Sequence, residues 1–236
     1  MTSLSDIIVL HSNQKSSVHN ETLDVFRQAV KYFPKIVRMW VFLKDIDNNY
    51  RDFSHARNQI YWENGIRDRS FVSTCVGCDD LTEDRHLCLK LLLSDQLGEA
   101  NVTYMDLFSH LPHTRTYGVS FERGAVFDYG HVKHYHISGT ASISINGQVL
   151  YGGDVVKQTE RVFEIIKALL TKYGATKDDI ISVICYVRNK DHIPFVKKAI
   201  RETDLNLNKI NLTVEEAKIC RPNWLVEAEC FALTIA

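Results

Sequence analysis

Glu227 and Glu229 stand two residues apart in the run Leu225-Val226-Glu227-Ala228-Glu229-Cys230-Phe231-Ala232-Leu233, near the end of a 236-residue chain. The run predicts a β-strand. Strand side chains alternate between faces, so Leu225, Glu227, Glu229, Phe231 and Leu233 share one side, while Val226, Ala228, Cys230 and Ala232 take the other. An ionised carboxylate set among large apolar residues costs several kcal/mol unless it is protonated or paired. A strand that carries two of them therefore points to a proton-transfer group or a charge pair.

The elements that would hold this strand are clearest in the C-terminal half. His134 to Ile145 is a β-rich run that reaches Asn146-Gly147, a dipeptide suited to a type I′ turn, and Gln148 to Tyr151 would return as the second strand of a hairpin. Asp154 is a helix N-cap, and Val162, Phe163, Ile165, Ile166, Leu169, Leu170 and Tyr173 follow at helical spacing before Gly174 ends the helix. Ile180 to Arg188 is apolar on both faces and predicts a covered central strand. A second helix is expected over Ile193 to Glu202, which gives the order ββαβαβ.

The N-terminal half loosely repeats part of that order. Thr22 to Phe33 predicts a helix with Leu23, Phe26, Val30 and Phe33 on one side. Ile36 to Leu43 predicts an apolar strand, and Tyr50 to Trp62 a second helix. The step from Val37 to Asp45 matches that from Val183 to Asp191, but no opening hairpin is evident in this copy. A polar stretch from about Gly98 to Gly118 separates the halves.

Composition narrows the field. The chain is 45% hydrophobic and 24% charged, enough for a sizeable core. With 28 basic against 29 acidic residues, its bulk charge favours neither nucleic acid nor an anionic membrane. The first residues lack the basic start and apolar core of a signal peptide, and no run approaches a membrane span, so a cytoplasmic protein is expected. Six cysteines scattered among apolar segments suit reduced thiols. Cys75 and Cys78 with His86 and Cys88 lack the spacing of a zinc knuckle, and His131, His134 and His136 have no carboxylate at matching spacing, so no metal is expected. There is no phosphate-binding loop, dinucleotide fingerprint or Gly-x-Ser-x-Gly elbow.

Several motifs, in order, resemble the YjgF/Rid family. They are Ser138-Gly139-Thr140-Ala141-Ser142; Gly153-Asp154-Val155 with Gln158-Thr159; Tyr173-Gly174-Ala175 with Asp179-Ile180; Cys185-Tyr186-Val187-Arg188; and Cys220-Arg221-Pro222 with Leu225-Val226-Glu227-Ala228-Glu229. The Ser-Gly-Thr-Ala-Ser and Cys-Arg versions are closer to the chorismatase branch than to the small imine deaminases. The resemblance is good over residues 119–236 and weaker over 20–80. It implies an α+β, chorismate-mutase-like mixed sheet with helices on one face, complete in residues 119–236. Residues 1–98 would form a degenerate copy, with 99–118 as the junction. It also implies a trimeric or pseudo-trimeric arrangement, with a homo-oligomer as one form.

In such proteins the ligand site lies near the edge of an interface, and the final strand supplies a catalytic glutamate, which by position is Glu227. The implied activity is cofactor-independent cleavage of an enolpyruvyl ether on a small carboxylate, with a protonated glutamate as the acid. Arg188 and Arg221 would grip carboxylates, with Arg123 third. Ser138, Gly139, Thr140 and Ala141 would form one wall, and Cys220 would shape the pocket. Two other readings stay open: imine or enamine hydrolysis, for which the small deaminases use an arginine absent near Asn208 to Leu212, and non-catalytic binding of a carboxylate metabolite.

Overall fold

The computed structural model describes residues 6–81, 85–96, 98 and 101–235. Its first unit runs β1 (Asp6–His11), α1 (Val18–Ala29), β2 (Ile36–Leu43), α2 (Ile46–Glu63), β3 (Ser73–Gly77) and β4 (Leu87–Leu93). The second runs β5 (Val102–Tyr104), β6 (Gly124–Asp128), β7 (Val132–Ala141), α3 (Val155–Lys172), β8 (Ile180–Val187), α4 (Ile193–Glu202), β9 (Asn211–Glu216) and β10 (Val226–Ile235). No helix among the described residues is long and apolar enough to cross a membrane.

Strand order makes the internal repeat explicit. The first sheet is β1-β4-β2-β3, and within the second the order β7-β10-β8-β9 repeats it. The senses agree as well: antiparallel, antiparallel, then parallel in both. The second unit alone carries β5 and β6 beyond β7. The first copy is degenerate at that edge, where β1 is the last strand.

Each sheet is covered by helices on one face. Met39, Val41 and Leu43 pack with Leu87, Leu89 and Leu91 beneath Val25 and Phe26 of α1 and Phe53 and Ile60 of α2. In the second unit, Val183, Cys185, Ala228, Cys230 and Ala232 meet Phe163, Ile166 and Leu170 of α3 and Val196 and Ile200 of α4. The even-numbered residues of β10 therefore face the helices. Glu227, Glu229 and Phe231 face the first sheet instead.

The sheets meet through backbone and hydroxyl groups rather than through a continuous oily layer. Ser73 N donates to Ser138 Oγ at 3.0 Å, Gly139 N to Thr74 Oγ1 at 3.0 Å, and Gly77 N to the Lys218 carbonyl at 2.7 Å. A small apolar cluster of Val37, Val72, Ala125 and Phe127 seals one side. Across the same face Arg38 Nη2 lies 2.9 Å from Glu229 Oε2, and Trp40 Nε1 donates to Glu229 Oε1 at 2.9 Å. Glu229 is thus the charge-pair member of the two glutamates, and its partner comes from the other unit.

Four sequence expectations need correction. The chain reverses at Asn146-Gly147, but not through the expected type I′ turn: Gly147 has a positive φ of 78° and Asn146 does not, Gly147 N donates to the Ser144 carbonyl, and pairing shrinks to one bridge between Ile143 and Val149. Both sides of β7 are already occupied, by β6 and β10, so the chain must leave the sheet after Ala141. The stretch expected as a junction contributes β5, which extends the larger sheet beside β6. β9 is absent from the predicted order because Asn211-Leu212-Thr213-Val214-Glu215-Glu216 is a largely solvated edge strand with little apolar signal. Finally, α1 begins at Val18, capped by Ser17, and ends at Ala29, after which a 3₁₀ turn containing Pro34 leads into β2.

Candidate active site

A cavity of about 250 Å³ lies between the two units, and Glu227 is in its wall. β10 is the strand that can place it there. Glu227 sits opposite Ala141 of β7 and Tyr186 of β8, so its side chain is fixed by ladders on both flanks. The residue is 5% exposed, and its neighbours in the cavity include Tyr50, Cys75, Val119, Phe121, Ala141, Ile143 and Trp224. Burial raises the carboxyl pKa from 4.5 to about 8, the Glu229 charge adds to the rise, and Arg123 opposes it. At neutral pH Glu227 is largely protonated, the form in which a carboxyl group can donate.

Gly139 sets how close the backbone comes to that acid. A Cβ there would stand 2.0 Å from Glu227 Oε1, 2.9 Å from Glu227 Cδ and 3.0 Å from Thr74 Cγ2. The requirement is space, because the carboxyl group occupies the place of a side chain. Gly139→Ala is expected to displace the carboxyl group and to lower stability by about 1–3 kcal/mol. Urea unfolding at constant m-value would check it. Wild-type stability in the variant would mean that the carboxyl group does not occupy this place.

The four residues expected to form one wall are placed differently. Gly139 and Ala141 line the cavity. Ser138, fully buried, donates to the Glu122 carbonyl at 2.5 Å and accepts from Ser73 N, so it fastens β7 to β3. Thr140 is 1% exposed and donates to the Ser138 carbonyl at 2.9 Å. Neither hydroxyl reaches the cavity.

Arg123 and Arg221 both line it. Arg123 donates to the Pro112 carbonyl at 3.2 Å and lies over the Phe121 ring. Arg221 donates to the Gly147 carbonyl at 3.3 Å and stacks 4.9 Å from the Trp224 ring. Arg188 lies outside the cavity. Its Nη1 lies 2.9 and 3.1 Å from the Asp47 carboxylate oxygens, Nε donates to the Trp224 carbonyl at 3.2 Å, and Nη2 donates to the Ile219 carbonyl. Its donors are spent on joining the loop before β10 to α2. The strand-end position that suggested an anchor is occupied by the partner unit.

The residue that sequence reasoning missed is Arg57. It lines the cavity from α2, is 3% exposed, and lies 5.0 Å from the Phe53 ring centroid and 5.9 Å from that of Tyr61. Its Nε and Nη2 have no hydrogen-bond partner among the described residues. A buried guanidinium without a counter-ion is costly unless something completes it. The signal was present in the sequence: Phe53, Arg57, Ile60 and Tyr61 fall on one helical face, an arginine in an apolar stripe as Glu227 is in its strand.

The thiols at the site lie in settings that favour the neutral form. Burial pushes Cys220 up to about 12, with the Glu227 charge adding to the shift, and burial likewise raises Cys75 well above its ordinary value. Cys220 lines the cavity. His86 is engaged elsewhere, with Nδ1 3.0 Å from Glu21 Oε1 and its backbone N–H on Glu21 Oε2.

A duplicated α+β unit whose interface encloses a protonated glutamate and an unpaired arginine defines the class: a two-unit protein with an acid-bearing site between its sheets. Residues 129–234, most of the second unit, match the family model described as Endoribonuclease L-PSP, so the second unit carries a domain of that family, the YjgF/Rid family. No curated protein sequence matches the chain. A chorismatase crystal structure is similar with a TM-score of 0.74 at 19% identity, covering 96% of this chain and 74% of that one. A putative endoribonuclease L-PSP from Entamoeba histolytica gives 0.47 at 16% identity, over 56% of this chain and 99% of that one. A YjgF family protein from Neisseria meningitidis gives 0.43 at 17% identity, over 57% and 96%. The fold is that of chorismatase, with both units included.

Proposed function

We propose that the protein is a cofactor-independent, chorismatase-like hydrolase that cleaves an enolpyruvyl ether on a small carboxylate, with Glu227 as the acid. One observation carries this reading: the same buried cavity holds a carboxyl group raised to about 8 and, on the wall made by α2, an arginine with unused donors. Protonated Glu227 delivers its proton to the terminal carbon of the enol ether, leaving an oxocarbenium ion beside the new carboxylate. Water adds to the oxocarbenium carbon, the one that bears the ether oxygen, and gives up a proton to Glu227. The hemiketal then collapses, releasing pyruvate and the alcohol.

A carboxylate on the substrate completes Arg57, whose planar fork suits it, with Arg221 and Arg123 lining the remainder of the same cavity. Purified protein incubated with chorismate is expected to release pyruvate in stoichiometric yield. Thermal stabilisation by chorismate with no pyruvate would turn the reading to a binding module, and the absence of both effects would remove this substrate.

Arg57→Met tests the anchor separately. Losing a charge-assisted pair is expected to raise KM about 30- to 300-fold, the equivalent of about 2–3 kcal/mol, with a smaller change in kcat. The free protein should not lose stability, because methionine replaces a buried, unpaired cation. An unchanged KM would place the substrate carboxylates elsewhere.

A further inference from the structure

A second cavity, of about 320 Å³, opens between the same two sheets and shares no lining residue with the Glu227 cavity. Aromatic and imidazole rings dominate its walls: Trp40 from β2, Tyr129 from the turn after β6, His134 and His136 from β7, and Phe231 from β10. They form a connected set, with His136 at 4.8 Å and His134 at 5.3 Å from Phe231, and Tyr129 at 4.9 Å from His134. His136 is 6% exposed. Neither imidazole makes a hydrogen bond among the described residues, so each leaves one donor and one acceptor unused in a chamber whose polar lining also includes Ser182 and the Arg38–Glu229 pair.

From these walls we infer a second binding site, for an uncharged planar aromatic molecule that carries a hydroxyl or ring N–H on its edge. The reading is independent of the function proposed for Glu227. Flat π faces favour a flat ligand, and the two histidines at alternate positions of one strand offer paired hydrogen bonds to its edge. Charge argues against an ion. The Arg38 guanidinium on the cavity wall is already neutralised by Glu229 at 2.9 Å, leaving little field for an anion. Lys90, 5.5 Å from the Trp40 ring, disfavours a cation at the same face. The imidazoles do not supply charge either, since burial holds both below the ordinary histidine range.

The test is titration calorimetry of the whole chain with p-cresol and with indole, and with benzoate and benzyltrimethylammonium as charged counterparts. The neutral probes are expected to bind saturably at one site per chain and the ions more weakly. His134→Ala is expected to weaken p-cresol at least about tenfold, the combined loss of a ring contact and a hydrogen bond. His136→Leu, which keeps the volume and removes the polar edge, should do the same if the alanine variant folds poorly. Arg57→Met should bind p-cresol as the wild type does. The inference would be overturned by no saturable neutral binding, tighter binding of either ion, indifference to both histidine changes, or loss of binding in Arg57→Met. Self-association that closes the cleft and excludes p-cresol would overturn it equally.

Discussion

Glu227→Gln is expected to abolish nearly all turnover, by a factor on the order of a thousand, while leaving the fold intact. Glutamine reproduces the shape of the protonated acid but cannot supply a proton to carbon, and positioned general acids contribute about 10²–10⁴ in rate. Substrate binding should change little, since the neutral amide replaces a neutral carboxyl group. Loss of kcat with KM preserved is therefore the expected pattern in single-turnover and steady-state measurements. Pyruvate release at the wild-type rate would remove Glu227 from the chemistry.

The pH dependence gives this prediction a sign. The proposed chemistry requires the protonated acid, so kcat/KM is expected to hold at neutral pH and decline as pH rises through about 8, the raised value of Glu227. Stability follows the same group. In the unfolded chain it loses its proton near 4.5, whereas the folded chain holds it until about 8, so the fold binds the extra proton between those limits. Unfolding free energy contributed by Glu227 therefore falls as pH rises across that window and is level above it. Glu227→Gln removes this penalty and should be more stable than the wild type above pH 8. Urea titrations at acidic and alkaline pH would show the difference narrowing at low pH.

Much of this was legible where local pattern and tertiary setting agree. The strand Ile36–Leu43 was predicted with the bounds observed, because the run is apolar apart from Arg38 and is largely buried on both sides. The alternation of the last strand located Glu227 and Glu229 together, and the fold separates their roles through the first sheet. What reading the sequence could not supply is that first sheet's contribution. Arg38, Arg57, Thr74 and Gly139 are spread over about 100 positions and come together at one interface only when the two units pack, so no spacing rule connects them. Arg188 failed as an anchor for the same reason: its position was right for the strand end, but Asp47 of the other unit occupies its fork. β5 and β9 were missed because short or solvated edge strands carry little hydrophobic periodicity.

Arg38→Met is the change expected to cost most in stability, about 3–5 kcal/mol, because it strands a buried charge rather than deleting one contact. Arg38 is 2% and Glu229 4% exposed, and Arg38 also donates to Thr74 Oγ1 at 3.0 Å, the hydroxyl that accepts from Gly139 N. Removing the guanidinium leaves Glu229 with the Trp40 N–H alone and loosens the junction behind Glu227. The second change, Glu229→Gln, should restore a large part of the loss when added to the first, since the pair is then removed whole. The double variant also tests electrostatics at the other glutamate. Glu229 is the like charge that helps to raise Glu227, so its removal should move the alkaline limb of kcat/KM below that of the wild type. Urea midpoints at constant m-value measure the first effect, and the pH profile measures the second. A double variant no more stable than Arg38→Met, or an unmoved limb, would mean that the two glutamates are not coupled through this interface.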